Sequence, residues 1–159
     1  MRMKAGLLIV VFLLAGTAGA AEKIIYEGVP FYNWYKMNAD GSSNTSIQGQ
    51  VEGPSYCPDG KHIVFHTWRW DDPVGNSEVA VMDSDGTDVV RLTNDPFSII
   101  GDRAPDCRTD NTIVWIRPGR HLTGLPGNVF QWSTIMTMDL DGSNWTPLYE
   151  ERHIGDVSW

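Results

Sequence analysis

The sequence predicts an all-β protein built from repeated four-stranded antiparallel meanders, and three observations lead there. Pro54-Ser55-Tyr56-Cys57-Pro58-Asp59-Gly60-Lys61-His62-Ile63-Val64-Phe65 returns in worn form as Pro105-Asp106-Cys107-Arg108-Thr109-Asp110-Asn111-Thr112-Ile113-Val114-Trp115. Met37-Asn38-Ala39-Asp40-Gly41 returns as Met82-Asp83-Ser84-Asp85-Gly86 and as Met138-Asp139-Leu140-Asp141-Gly142, interleaved in fixed order with the first phrase. Pro54 and Pro105 are 51 residues apart and the Asp-Gly pairs 45 and 56 apart, which is the period of stacked supersecondary units with unequal loops. Finally, the mature chain shows no sustained helical periodicity.

The amino terminus reads as a secretory leader. Met1-Arg2-Met3-Lys4 precedes an uncharged apolar run from Ala5 to Ala15, and small residues follow in Gly16-Thr17-Ala18-Gly19-Ala20. The run is short for a membrane span, so residues 1–20 are expected to be cleaved and to leave no stable membrane anchor. Leu13-Leu14-Ala15-Gly16 is followed by Thr17, not by the Cys that lipid attachment needs. The expected location is periplasmic or secreted.

Cleavage removes two of the 12 basic residues and none of the 20 acidic ones, moving the net charge from −8 to −10. Nucleic acid is a poor partner for such a surface, because phosphate binding needs a basic footprint. The oxidising compartment allows Cys57 and Cys107 to pair. In the repeat, however, Cys107 matches Tyr56 and Cys57 matches Arg108, and one residue of slip points side chains to opposite strand faces. The expectation is therefore two buried free thiols, not a disulfide.

In order along the chain, Lys23-Ile24-Ile25-Tyr26 and Tyr32 to Met37 read as strands, and Asn38-Ala39-Asp40-Gly41 as a turn. Asp-Gly between apolar alternations favours a tight hairpin because Gly accepts positive φ. Asn44 to Gln48 is a polar, edge-like return strand. The first full unit then runs Glu52 to Cys57, Lys61 to Thr67, Ser77 to Asp83 and Asp88 to Thr93, with a loop from Trp68 to Asn76. After a crossover at Asn94 to Gly101, the next unit runs Arg103 to Arg108, Thr112 to Ile116, Ser133 to Asp139 and Trp145 to Tyr149. Units are thus expected at about 24–50, 51–101 and 102–155, with a further one beginning at 156–159.

Strand two of each unit is apolar on both faces: Ile63, Val64 and Phe65, then Ile113, Val114, Trp115 and Ile116. Such a strand needs cover on both sides, which sheets packed face to face around an axis provide; this is the architecture of a β-propeller. The phrase Pro54-x-x-x-Pro58-Asp59-Gly60-Lys61-x-Ile63-x-Phe65, the Met-x-x-Asp-Gly turns and Val90-Arg91-Leu92-Thr93 together resemble the Pro-Asp-Gly repeats of TolB-like six-bladed propellers. The resemblance implies the fold over nearly the whole mature chain. It does not imply one function, since such blades occur in envelope proteins, oligopeptidases, polysaccharide lyases and exported proteins of other roles.

The chain departs from that pattern. It carries no separate α/β domain between leader and first strand, and its units number about three against six. The expectation is a partial propeller: a truncated product or, alternatively, a half ring that self-associates. In the second case the tail Gly155-Asp156-Val157-Ser158-Trp159 supplies the strand one that the first unit lacks to a second copy.

Candidate chemistry is sparse. Asp83-x-Asp85-Gly86 and Asp139-x-Asp141-Gly142 begin like calcium loops without completing one, and read as turn formers. His62 and His66 stand four residues apart on a strand, about 13 Å, too far to share an ion, and nothing fixes His121 or His153 near either. No Gly-x-Ser-x-Gly occurs, and no carboxylate pair stands out from the turn acids. No metal, cofactor or catalytic residue is expected. The most distinctive surface is the loop after strand two, with Trp68, Arg69 and Trp70 in one unit and Arg117, Arg120 and His121 in the next, since Trp and Arg are enriched at binding hot spots. The reading is a non-enzymatic exported scaffold for an envelope or extracellular protein or a glycan. The alternative is the propeller portion of an oligopeptidase-like hydrolase or of a polysaccharide lyase.

Overall fold

The computed structural model describes residues 12–13, 23–28, 33–70, 76–94, 101–122 and 129–151, with no description of side chains at 12–13 and 120–132. The described residues form three four-stranded antiparallel sheets, each a meander in chain order. The first holds β1 (Phe12–Leu13), β2 (Lys23–Gly28), β3 (Asn33–Asn38) and β4 (Thr45–Ser46). The second holds β5 (Glu52–Tyr56), β6 (His62–Thr67), β7 (Glu78–Asp83) and β8 (Val90–Arg91). The third holds β9 (Arg103–Cys107), β10 (Thr112–Leu122), β11 (Val129–Asp139) and β12 (Thr146–Glu151).

The sheets pack face to face as blades, and strand two is covered on both sides as its composition requires. Ile63 and Phe65 of β6 join Ile25, Ile47 and Tyr56 in a core between blades 1 and 2. Val64 on the other face joins Cys57, Ile113, Trp115 and Met138 in a core between blades 2 and 3. Burying a strand residue such as Phe65 or Val64 on each side contributes about 1.5–3 kcal/mol apiece.

The turns form as the Asp-Gly phrases specify. Gly41, Gly86 and Gly142 have φ of 81°, 100° and 84° and donate their amides to Asn38, Asp83 and Asp139. Asp40, Asp85 and Asp141 each accept the amide two residues on, at 2.9 Å.

Three expectations need correction. Cys57 and Cys107 form a disulfide, with Cα atoms 5.0 Å apart. The slip of one residue assists the bridge, because adjacent blades meet through opposite faces. Tyr56 looks back to blade 1 and Cys57 forward to blade 3, whereas Cys107, equivalent to Tyr56, looks back to blade 2. Residues in register would never face each other across the junction; residues one step apart do.

The stretch after Ile116 is a strand where a loop was expected. β10 and β11 pair without interruption from Thr112↔Asp139 to Leu122↔Val129. Among the described residues β9 pairs with β10 as far as Ile116 and β12 with β11 as far as Ser133, and β10 and β11 continue past these points paired to each other. Lastly, the first sheet has a strand in the innermost position: Phe12 and Leu13 pair with Ile25 and Ile24. They are the only described part of the expected leader. The crossover tip at 95–100 and the tail at 152–159, including the expected start of a further unit, lie outside the described residues.

Candidate binding site at the loop end

Strand direction sorts the connections into two ends. The β5–β6 and β7–β8 turns share one end of blade 2; the end of β6 with Trp68 to Trp70, the start of β7 with Asn76 and Ser77, the end of β8 and the start of β9 lie at the other. The expected binding residues fall at this loop end, but the structure gives them different tasks.

Trp68 is 45% exposed, its ring edge-on to His66 with centroids 5.5 Å apart. Beside it, the Arg69 amide donates to Thr67 Oγ1 at 3.1 Å. The Arg69 guanidinium closes over Gly49, where an added Cβ would stand 2.4 Å from Nη2. Trp70 instead packs against the core between blades 1 and 2, and the Arg91 guanidinium carbon lies 5.3 Å from its ring centroid.

Beneath these residues are two buried carboxylates. Glu78, fully buried, accepts Arg91 Nη2 at 2.7 Å and Thr93 Oγ1 at 2.6 Å. Thr93 Oγ1 in turn accepts the Val79 amide at 2.9 Å, tying β7 to the residues after β8. Asp102, 2% exposed, accepts Arg117 Nε at 3.0 Å, Arg117 Nη2 at 2.8 Å and Trp115 Nε1 at 3.0 Å. Burial pushes the Asp102 carboxyl up from the ordinary range, only partly countered by the bonds and charge of Arg117 and by the neighbouring Thr93 and Trp115 side chains. Arg117 also lies over Trp145, 4.5 Å from its ring centroid, and Trp145 meets Trp115 edge-on at 5.4 Å.

Arg117 is therefore a strand residue and not a loop residue, and it is engaged with Asp102 and Trp145. The backbone of Arg120 and His121 belongs to β10, and their side chains lie outside those described. Sequence reasoning missed Glu78 and Asp102 by treating the acids as turn formers. The available signal was place, for Glu78 at least: it stands directly before the apolar run Val79-Ala80-Val81-Met82.

The two histidines of β6 go to opposite ends. His62 at the turn end lies 2.5 Å from Asp59 and 3.8 Å from Asp83, while His66 meets Trp68 at the loop end. Among the described residues, no three His, Cys, Asp or Glu side chains converge as a metal site requires.

Among the described residues two tryptophans are exposed, Trp68 next in sequence to Arg69 and Trp145 against the Arg117 guanidinium, and two acid–arginine pairs are buried, Glu78 with Arg91 and Asp102 with Arg117. No family model matches the chain. It is 25% identical over 123 residues to an uncharacterized protein of Agrobacterium fabrum, which covers 75% of this chain and 39% of the relative. Among solved structures it is similar to a protein assigned as TolB from Agrobacterium tumefaciens, with 25% identity, a TM-score of 0.59, and 80% of this chain and 45% of that one covered. A nidogen/laminin complex matches at 17% identity and a TM-score of 0.56, over 81% of this chain and 44% of that one. An acylaminoacyl peptidase of Pyrococcus horikoshii matches at 15% and 0.57, over 94% and 26%. The chain thus spans less than half the length of each. These likenesses agree with the three stacked meanders: the chain has the fold of a β-propeller segment, similar to that of TolB-like proteins.

Proposed function

We propose that the chain is part of an exported propeller that acts as a non-enzymatic scaffold and binds a protein or glycan through its loop end. The observation that carries this is Trp68, 45% exposed beside Arg69 on a surface whose neighbouring loop-end side chains are fixed from below. An exposed aromatic next to an arginine is the usual chemistry of an interface anchor. Export draws support from the Cys57–Cys107 bridge, since such bonds persist in the periplasm and outside the cell and are rare in the cytosol.

The test applies the full chain and its Trp68→Ala and Arg69→Ala variants to a glycan array and to cross-linking against envelope proteins. Loss of capture in both variants with an unchanged thermal midpoint is the expected result. Undiminished capture, or a midpoint lowered by several degrees, overturns the reading. Sequencing beyond Trp159 supplies a second check: a hydrolase domain encoded there would overturn the non-enzymatic assignment.

A further inference from the structure

At the opposite end of the sheets, a groove of about 270 Å³ opens between blades 1 and 2. Two ammonium groups converge on it. The register pairs Lys23 with Asn38 and Ile25 with Lys36, so both lysines share the face on which Ile25 meets blade 2. Both line the groove, as do buried Tyr56 and, from blade 2, Asp85.

Each lysine is anchored by a neutral oxygen. Lys23 Nζ donates to Asn38 Oδ1 at 2.6 Å, and Lys36 Nζ to the Ser84 carbonyl of the next blade. Among the described residues neither has a carboxylate at ion-pair distance, although the chain carries 20 acids. Burial lowers the Lys36 pKa; Asp85 works against that and the Lys23 charge adds to it. Two like charges held in one partly desolvated groove oppose each other, and an anion between them removes the opposition. An ammonium has three donors, and these bonds use one on each lysine.

The charge of the anion follows from the surroundings. Asp85 on the groove wall and the acidic excess of the whole chain disfavour a dianion and leave a monoanion as the better match. The volume is below the usual range for drug-sized ligands and suits a single small group. We propose that this groove binds a carboxylate, carried by a peptide C-terminus or by a small free organic acid, between Lys23 and Lys36. The site is independent of the loop-end reading, and each can fail without the other.

The test follows the lysine 13Cε signals of the full chain by NMR during titration with acetate, with phosphate, and with sodium chloride at matched ionic strength. Acetate is expected to move Lys23 and Lys36 saturably and to leave Lys61 in place, and Lys36→Met to weaken the effect about tenfold. Lys23→Gln serves as a second variant should Lys36→Met fail to fold. N-acetyl-trialanine with a free C-terminus, compared with its amide, separates the sources. Binding tighter than acetate that vanishes on amidation assigns a peptide terminus, and equal binding of acetate and peptide assigns a free acid. Shifts that match those in chloride, an equal movement of Lys61, tighter binding of phosphate, or unchanged acetate binding in both variants would overturn the proposal.

Discussion

Arg117 lays Nε and Nη2 on the two oxygens of Asp102, at 3.0 and 2.8 Å, so the strand that leaves blade 3 is bolted to the crossover that enters it. Arg117→Ala strands a carboxylate that is 2% exposed, and removing one partner of such a pair costs about 3–5 kcal/mol. Urea denaturation measures the loss. Adding Asp102→Asn to that variant is expected to recover most of it, because the amide carries no charge and its oxygen still accepts from Trp115.

The bridge between Cys57 and Cys107 closes a loop with a sequence separation of 50. The chain-entropy account gives about 4 kcal/mol for a loop of that size. Cys57→Ala with Cys107→Ala is expected to lower stability by up to about that amount. Both sulfurs are buried, so the folded chain is expected to show no free thiol and to resist a mild reductant until it unfolds; thiol counting with and without urea checks this.

Trp68 and Trp70 differ in how far they are packed: Trp68 is exposed and Trp70 lies against the core between blades 1 and 2. Trp68→Ala is expected to leave the thermal midpoint nearly unchanged. Trp70→Ala removes a ring packed on the core and under Arg91, for a loss of about 1–3 kcal/mol or roughly 2–4 °C per kcal/mol. Thermal melts of the two variants decide it; equal losses would contradict the division.

Two carboxylates are expected to give opposite pH slopes. Burial acts to raise the Asp59 pKa, but the amides of Lys61 and His62 and the His62 side chain outweigh it and hold it below 3.8. Its stabilisation is present above the unfolded value and lost as pH falls through the folded one. Asp102 is raised above 3.8, so its contribution is full below the unfolded value and lost as pH rises through the folded one. In urea denaturation from pH 3 to 7, the advantage of the parent over Asp59→Asn should shrink toward acid. Its advantage over Asp102→Asn should shrink toward neutrality.

A pair of small-residue exchanges tests the inner strands. Register shifts interrupt β5 between Glu52 and Ser55 and β9 opposite Val114 and Ile116, and the equivalent residues Gly53 and Ala104 have φ of 51° and 49° there. Ala104→Gly relieves a left-handed alanine and should stabilise by about 1 kcal/mol. Gly101→Ala does the reverse, since its Cβ would stand 1.9 Å from the Ser77 carbonyl oxygen and 2.2 Å from its nitrogen. Backbone cannot give way as a side chain does, and calorimetry should show a midpoint many degrees lower.

The legible features were local ones. Pro58-Asp59-Gly60 and the Met-x-x-Asp-Gly phrases carry their own turn chemistry, and Ile63-Val64-Phe65 declares two buried faces. The features missed depend on partners distant in sequence. Cysteine pairing needed the rule that neighbouring blades meet through opposite faces, and Glu78 and Asp102 depended on Arg91 and Arg117, 13 and 15 residues away. Arg117-Pro118-Gly119 looked like a loop because proline and glycine interrupt strands. With β9 ending its pairing at Ile116, one edge of β10 is open from there, and a proline is tolerated.

The three Asp-Gly turns are each closed by hydrogen bonds among residues inside the turn. Each hairpin therefore holds its own nucleus and can form on the microsecond scale without waiting for a neighbour. Contacts of short sequence separation come first, blade docking second, and the oxidation of Cys57 with Cys107 records a junction already made. A chain assembled in that sequence folds in step with its emergence, one meander at a time.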